Sequence, residues 1–303
     1  MSNPYKLHLP PFKPKFVFQT LAEQEIYDWG LQDLNIPDIH KQTQAEGIKI
    51  AIIDSGKSEH FEVAGAFFDA QNFSKSPTIN DKLGHSTFIS GLLCAAKNDQ
   101  GIIGVAPKAK LLYAKAIMDD GQGDPDAIIR AFNWCVEQKV DIISISAGMF
   151  IDFRPLHDAV KKAYDNNIII VGAVGNSSNH YDDIAFPARY PEVIGVAAYD
   201  RQRKPAGFSS RGINIKFAMP GVDIYSTYLS NTYCRMNGTS FACPIMTGIC
   251  ALILSKHRMV HSNTPCTNMS EMMEHLKKYA INLDGDQKAV GFGSVNVDGA
   301  IND

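Results

Sequence analysis

Ile48-Lys49-Ile50-Ala51-Ile52-Ile53-Asp54-Ser55-Gly56 decides the fold: an apolar run of strand length is closed by an acid and a Ser-Gly turn. That is the pattern of a strand buried on both faces. The same phrase returns at residues 111–116, 141–146, 168–172 and 193–198. Between these runs lie helical patterns over 85–96, 125–138 and 155–166. Strand and helix in alternation build a parallel sheet with helices packed on it. The chain is therefore read as α/β, a three-layer fold with a mostly parallel central sheet and helices on both faces. In such sheets ligand chemistry gathers beyond the carboxyl ends of the strands. Asp54, Ser146 and Asn176 stand at those ends.

Residues 1–20 differ from the rest, because Pro4, Pro10, Pro11 and Pro14 forbid a regular helix and favour extended backbone. They are read as an N-terminal extension, and 21–303 as one domain. From Leu21 an amphipathic helical stretch is expected through Trp29. After Gly207 turn and β signals increase, around Tyr225-Ser226-Thr227-Tyr228, and a long helix is expected from Ser240 through Ile253. The 303 residues are 45% hydrophobic and 20% charged, which excludes a disordered chain. A net charge of −3 gives no field to hold nucleic acid or an anionic membrane. The apolar runs look strand-sized against the ~20 residues a bilayer needs, so no membrane span is expected. The N-terminus carries no continuous apolar signal segment, and a cytoplasmic location is expected. Six cysteines are scattered without a CxxC pair, which argues against a zinc site and against a disulfide framework.

Three segments place a reactive side chain at the end of an apolar element: Asp54 in IAIIDSG, His85 in DKLGHSTFISG and Ser240 in MNGTSFACPIMTG. Singly, each has a bland role, such as a turn acid or a helix N-cap. Together they are the parts of an activated nucleophile. A serine hydroxyl needs an imidazole to take its proton, and the imidazole needs a carboxylate to hold its tautomer. Pro244, soon after Ser240, is expected in the first turn of its helix, where a missing N–H removes no intrahelical bond.

IAIIDSG, GHSTFISG, AVGN and NGTSFACPIMTG resemble the signature segments of the subtilisin-like serine proteases, in that family's order of Asp, His and Ser. GVAPKAKLLYAKAI, FPARYPEVIGVAAYD and GFGSVNV are similar to its framework, so the likeness runs from about Trp29 onward. The intracellular subtilisins look nearest. The resemblance implies a serine endopeptidase in which Ser240 attacks the peptide carbonyl, His85 acts as base and then acid, and Asp54 supports it. Asn176 would donate its amide to the oxyanion. Gly121-Gln122-Gly123 and Ser146-Ala147-Gly148 would be two edges that sandwich a peptide strand, and Ala185 the floor of the pocket for the residue before the cleaved bond. Large apolar residues are expected there.

Leu9-Pro10-Pro11-Phe12 is similar to the inhibitory proline motif of the intracellular subtilisins, which implies a zymogen. The resemblance further implies structural calcium on Glu62 and Asn98, with Gln24 or Glu25 as a third ligand, and a homodimer. The chain departs from the family pattern at Ser86, Phe88, Phe241 and Cys243-Pro244-Ile245. Ser86 is a neighbour that could crowd the Asp-His contact, and Phe241 is expected to narrow the leaving side. These departures keep two rivals open: a processing protease that resolves its acyl-enzyme with an amine, and an inactive peptide-binding relative. A nucleotide-binding α/β protein is disfavoured, since no GxGxxG or GxxxxGK[ST] follows a strand.

Overall fold

Alternate residues of the central strand Lys49–Asp54 point into two different cores. Ile50 and Ile52 pack among one set of helices, and Ala51 and Ile53 among another. A computed structural model describes residues 7–9, 12–18, 25–177, 182–260 and 266–303. Its sheet has seven strands in the order Phe217–Pro220, Ile194–Tyr199, Ile169–Ala173, Ile142–Ile145, Lys49–Asp54, Lys110–Lys115, Phe67–Asn72. Every neighbouring pair is parallel. The three-layer α/β reading holds. Ile142–Ile145 and Lys49–Asp54 lie side by side, yet the chain leaves them toward opposite edges of the sheet. That divergence opens a crevice at their carboxyl ends, where Asp54 and Ser146 stand.

Helices Pro125–Glu137 and Arg154–Asp165 cover one face, and His85–Cys94 and Thr239–Val260 the other. Arg154–Asp165 buries Leu156, Ala159, Val160 and Ala163, a single stripe at helical spacing. Thr239–Val260 is instead buried nearly all round. It corrects the view that the apolar stretches are only strand-sized: its 22 residues are long and apolar enough to cross a membrane, with 94% of the apolar window buried in the fold. Thr247 and Ser255 break the run in the sequence but donate to backbone carbonyls, those of Cys243 and Glu46.

Three other expectations change. The edge strand Phe67–Asn72 was not legible, because Phe67 and Phe68 are exposed and Asp69, Gln71 and Asn72 interrupt any apolar run. Lys57 and Lys49 sit over those two rings and shield them. The helix expected through Trp29 begins only there: Ile26 bridges to Ile102, and the Asp28 carboxylate accepts from Gly30 N–H at 3.0 Å and starts a short helix, Trp29–Asp33. Pro244 is not in the first turn, since the helix starts at Thr239.

Helix His85–Cys94 is docked on the strand Ile224–Tyr228 through Gly91. Ser226 and Thr227 donate to the helix carbonyls of Phe88 and Thr87 at 2.8 and 2.7 Å. A Cβ on Gly91 would lie 2.2 Å from Thr227 Oγ1 and 2.5 Å from Ser226 Oγ. Ala ordinarily stabilises a helix interior relative to Gly by roughly 0.5–1 kcal/mol. At Gly91 the sign should reverse: Gly91→Ala is expected to cost about 1–3 kcal/mol, read as a lowered denaturation midpoint, and a midpoint equal to or above wild type would refute this close approach.

Candidate active site

Asp54 ends its strand with a carboxylate only 1% exposed, so its charge must be met by fixed partners. It receives Ser55 N–H at 2.7 Å, and His85 Nδ1 lies 2.8 and 3.0 Å from its two oxygens. That bond places the Nδ1 proton toward Asp54 and leaves the lone pair at Nε2. His85 is wholly buried, and Nε2 has no hydrogen-bond partner among the described residues. An imidazole so held is a base waiting for a proton.

Ser240 is the second residue of helix Thr239–Val260, where the backbone N–H groups are free of intrahelical bonds and the helix dipole is positive. Its hydroxyl donates to the Ser146 carbonyl at 3.3 Å in this arrangement. Pro244 cannot supply the N–H that would bond to the Ser240 carbonyl, and the Ser146 hydroxyl donates to that carbonyl instead, at 3.0 Å. Asn176 Oδ1 accepts from Thr239 N–H and Oγ1 at 3.0 and 2.9 Å. The side chain is thereby oriented with its NH2 turned the other way, as a donor. The structure thus brings Asp54, His85, Ser240, Ser146 and Asn176 together from five separate elements or their ends.

Gln122–Gly123 forms an edge that is already paired: Leu7–His8 lies antiparallel to it, with Leu7 opposite Gly123, and Leu9 N–H donates to Gly121 O at 3.1 Å. A Cβ on Gly123 would come within 3.0 Å of Leu7 Cβ, so glycine lets this segment settle. The Phe12 ring lies 4.8 Å from that of His85. Farther on, Val17–Phe18 adds to the strand Thr232–Met236. Pro10, Pro11 and Gln24 lie outside the described residues. Across the groove, Gly148, Gly175 and Ala185 form one small-residue wall, since a Cβ on either glycine would meet Ala185 Cβ, at 2.8 and 3.5 Å. Ala147 is buried beside them.

Residues 45–293 match the profile of the Subtilase family. The chain belongs to that family. It is 37% identical to Subtilisin DY of Bacillus licheniformis over 86% of this chain and 94% of that one. It is 35% identical to the Intracellular serine protease of Paenibacillus polymyxa over 82% and 78% of the two chains, and 32% identical to Subtilisin BL of Lederbergia lenta over 90% and 97%. This subtilase is a serine peptidase, a hydrolase of peptide bonds.

The departures from the family pattern are absorbed by packing. The Asp54–His85 contact closes at 2.8 Å with Ser86 beside it; the Ser86 N–H donates to Ser55 Oγ at 3.1 Å, and its own hydroxyl is buried with no hydrogen-bond partner among the described residues. Phe241 is fully buried, 4.4 Å from Phe88 and 5.7 Å from His85 ring to ring, so it backs the histidine instead of narrowing an open groove. Cys243 faces the core from the helix that carries Ser240, and burial pushes its thiol up to about 11. Asp81 was missed by sequence reasoning. Its Oδ1 accepts from Ser55 Oγ, Leu83 N–H and Gly84 N–H, and its Oδ2 from Thr87 N–H and Oγ1, all at 2.8–3.0 Å. It holds the turn that presents His85. A loop acid without strand or helix periodicity gives no signal of that role.

Glu62 and Asn98 do come together, but as acceptor and donor. Glu62 Oε1 takes the Tyr233 hydroxyl at 2.7 Å and Ile102 N–H at 3.2 Å, and Oε2 takes Asn98 Nδ2 at 3.2 Å. Asn98 Oδ1 accepts from Gln100 N–H, and Glu25 from Asn98 N–H. Calcium wants six to eight inward oxygens. A buried carboxylate that already accepts from three protein donors, one of them the NH2 of Asn98, is not arranged as that cage, and no step below uses the ion.

His60 caps this cluster: Nδ1 accepts Glu62 N–H at 3.3 Å while Nε2 donates to Thr232 O at 3.2 Å. Protonation would destroy the cap, and burial pushes the ring pKa down to about 4 from 6.5. A depressed folded-state value means its contribution is present above pH 6.5 and lost as pH falls toward 4. Stability should therefore drop over that window by roughly 2 kcal/mol more in the parent than in His60→Gln, both carrying Ser240→Ala against self-digestion. Equal slopes in urea titrations would remove His60 from the account.

Proposed function

We propose that Asp54, His85 and Ser240 act as one unit in a serine endopeptidase that is held as a zymogen by its own N-terminal arm. The observation that carries the reading is His85: one nitrogen bonded to buried Asp54, the other open, beneath the Phe12 ring. When a substrate displaces the arm, the Ser240 hydroxyl turns from Ser146 O to His85 Nε2 and gives up its proton as Oγ attacks the carbonyl carbon. The carbonyl oxygen gains the negative charge and meets the Asn176 NH2 and the Ser240 N–H. The imidazolium, stabilised by Asp54, then returns its proton to the leaving amine. Water, deprotonated by the same histidine, attacks the acyl carbon; the bond to Ser240 Oγ breaks, and the histidine returns the proton to that oxygen.

Residues 1–20 act as the inhibitory extension of a peptidase domain spanning 21–303. Leu7–His8 occupies the edge a substrate strand would use, which supports this reading. Proline beside the scissile position resists attack because it is rigid and has no N–H for edge pairing. The small wall of Gly148, Gly175 and Ala185 supports a preference for Leu, Phe, Met or Tyr before the cleaved bond. The intracellular relative supports a cytoplasmic location.

Incubation with a fluorophosphonate, read by intact mass, tests the unit. A single adduct is expected on the parent and none on Ser240→Ala, with labelling accelerated by deletion of residues 1–20. Equal labelling rates with and without the arm would discard the zymogen, and an arm-deleted chain that never labels would be a peptide-binding relative without turnover. Asn176→Ala in the arm-deleted enzyme should lower turnover by about 10²- to 10³-fold, the loss known for the equivalent donor in this family. A change within twofold would remove Asn176 from the oxyanion site.

A further inference from the structure

We propose that His257, Cys266 and His275 bind a borderline-soft divalent metal, zinc by preference, at the end of the molecule remote from the active site. His257 comes from the last turn of helix Thr239–Val260, Cys266 from just ahead of helix Met269–Lys278, and His275 from that helix. Their ligand atoms all lie within 4.8 Å of one another, and all three side chains are buried.

A second observation points into the same spot. His275 Nε2 is 2.8 Å from the Ala300 carbonyl, so its proton is there and Nδ1 presents a lone pair. Nδ1 is buried with no hydrogen-bond partner among the described residues, an expensive state for a polar atom. Burial also lowers the pKa of this ring, which keeps it neutral. A histidine whose far nitrogen is fixed by a backbone carbonyl is the usual form of a metal ligand. The rings of His257 and His275 stand edge to face, 5.0 Å apart at 86°.

Zn–S of about 2.3 Å and Zn–N of about 2.0–2.1 Å at tetrahedral angles put the ligand atoms about 3.4–3.6 Å apart. The cluster closes on an ion by moving about 1 Å. Asp303, whose carboxylate is 3.9 Å from His275 Nδ1, or a water supplies the fourth position. Nitrogen and sulfur donors select zinc over calcium. His257 lies 17 residues along the helix from Ser240, about 25 Å, so the ion is structural, a staple between two helices. The absence of CxxC pairs hid it, because only one cysteine takes part.

The test uses the full chain carrying Ser240→Ala, stripped of metal and titrated with cobalt(II). One equivalent should give a thiolate-to-cobalt charge-transfer band with tetrahedral visible bands, and zinc should abolish both and raise the melting temperature. Cys266→Ala should lose the charge-transfer band, and His275→Ala should weaken cobalt binding by about 100-fold or more, beyond the range for an outer-shell partner. No thiolate band in the unsubstituted cluster, or a band that survives Cys266→Ala, overturns the site. The first readout needs no substitution in the cluster, so a variant that fails to fold does not decide it.

Discussion

The contact between Asp54 and His85 is buried so completely that the rest of the site has to be built around it. A carboxylate with 1% exposure has no water to fall back on. Its oxygens are met by Ser55 N–H and the imidazole, and Ser55 in turn is tied to Asp81, whose five bonds hold the turn at Gly84 and the first residues of the next helix. The strand end and the helix start therefore lock as a pair. Neither could shift without stranding a buried charge.

The helix Thr239–Val260 carries that order across the molecule. Its first turn presents Ser240 beside Asn176, its middle fills the core under the sheet, and its last turn reaches His257. The proline at its fifth peptide after Thr239 could have been a flaw. Ser146 converts it into a bond between the helix and the neighbouring strand end, by donating to the carbonyl that Pro244 leaves unmet. A rigid rod of this kind fixes the nucleophile by the same packing that stabilises the fold.

The groove is defined by what is missing from it. Gly123 has no Cβ, which admits Leu7, and Gly148 and Gly175 have none, which leaves space over Ala185. Backbone edges bind backbone, so the arm pairs there as any extended peptide could. Leu7 is fully buried on that edge, and Phe12 covers the histidine. Binding one's own chain carries no translational penalty.

Much of this was legible in the chain. Runs such as Ile50 to Ile53 announce a strand buried on both faces because they are short and β-branched and are closed at once by an acid and a Ser-Gly turn. Asp54 closes such a run, whereas His85 and Ser240 open helices, and it was the three segments together that nominated the site. The edge strand Phe67–Asn72 escaped because an edge needs only one covered face. The orientation of the Asn176 amide, the bracing of His85 by Asp81, the bond from Tyr233 to Glu62 and the meeting of His257, Cys266 and His275 were decided by tertiary structure alone. Periodicity reports which way a side chain faces within its own element; which partner it meets depends on distances between elements far apart in the chain, and those are set only when the core closes.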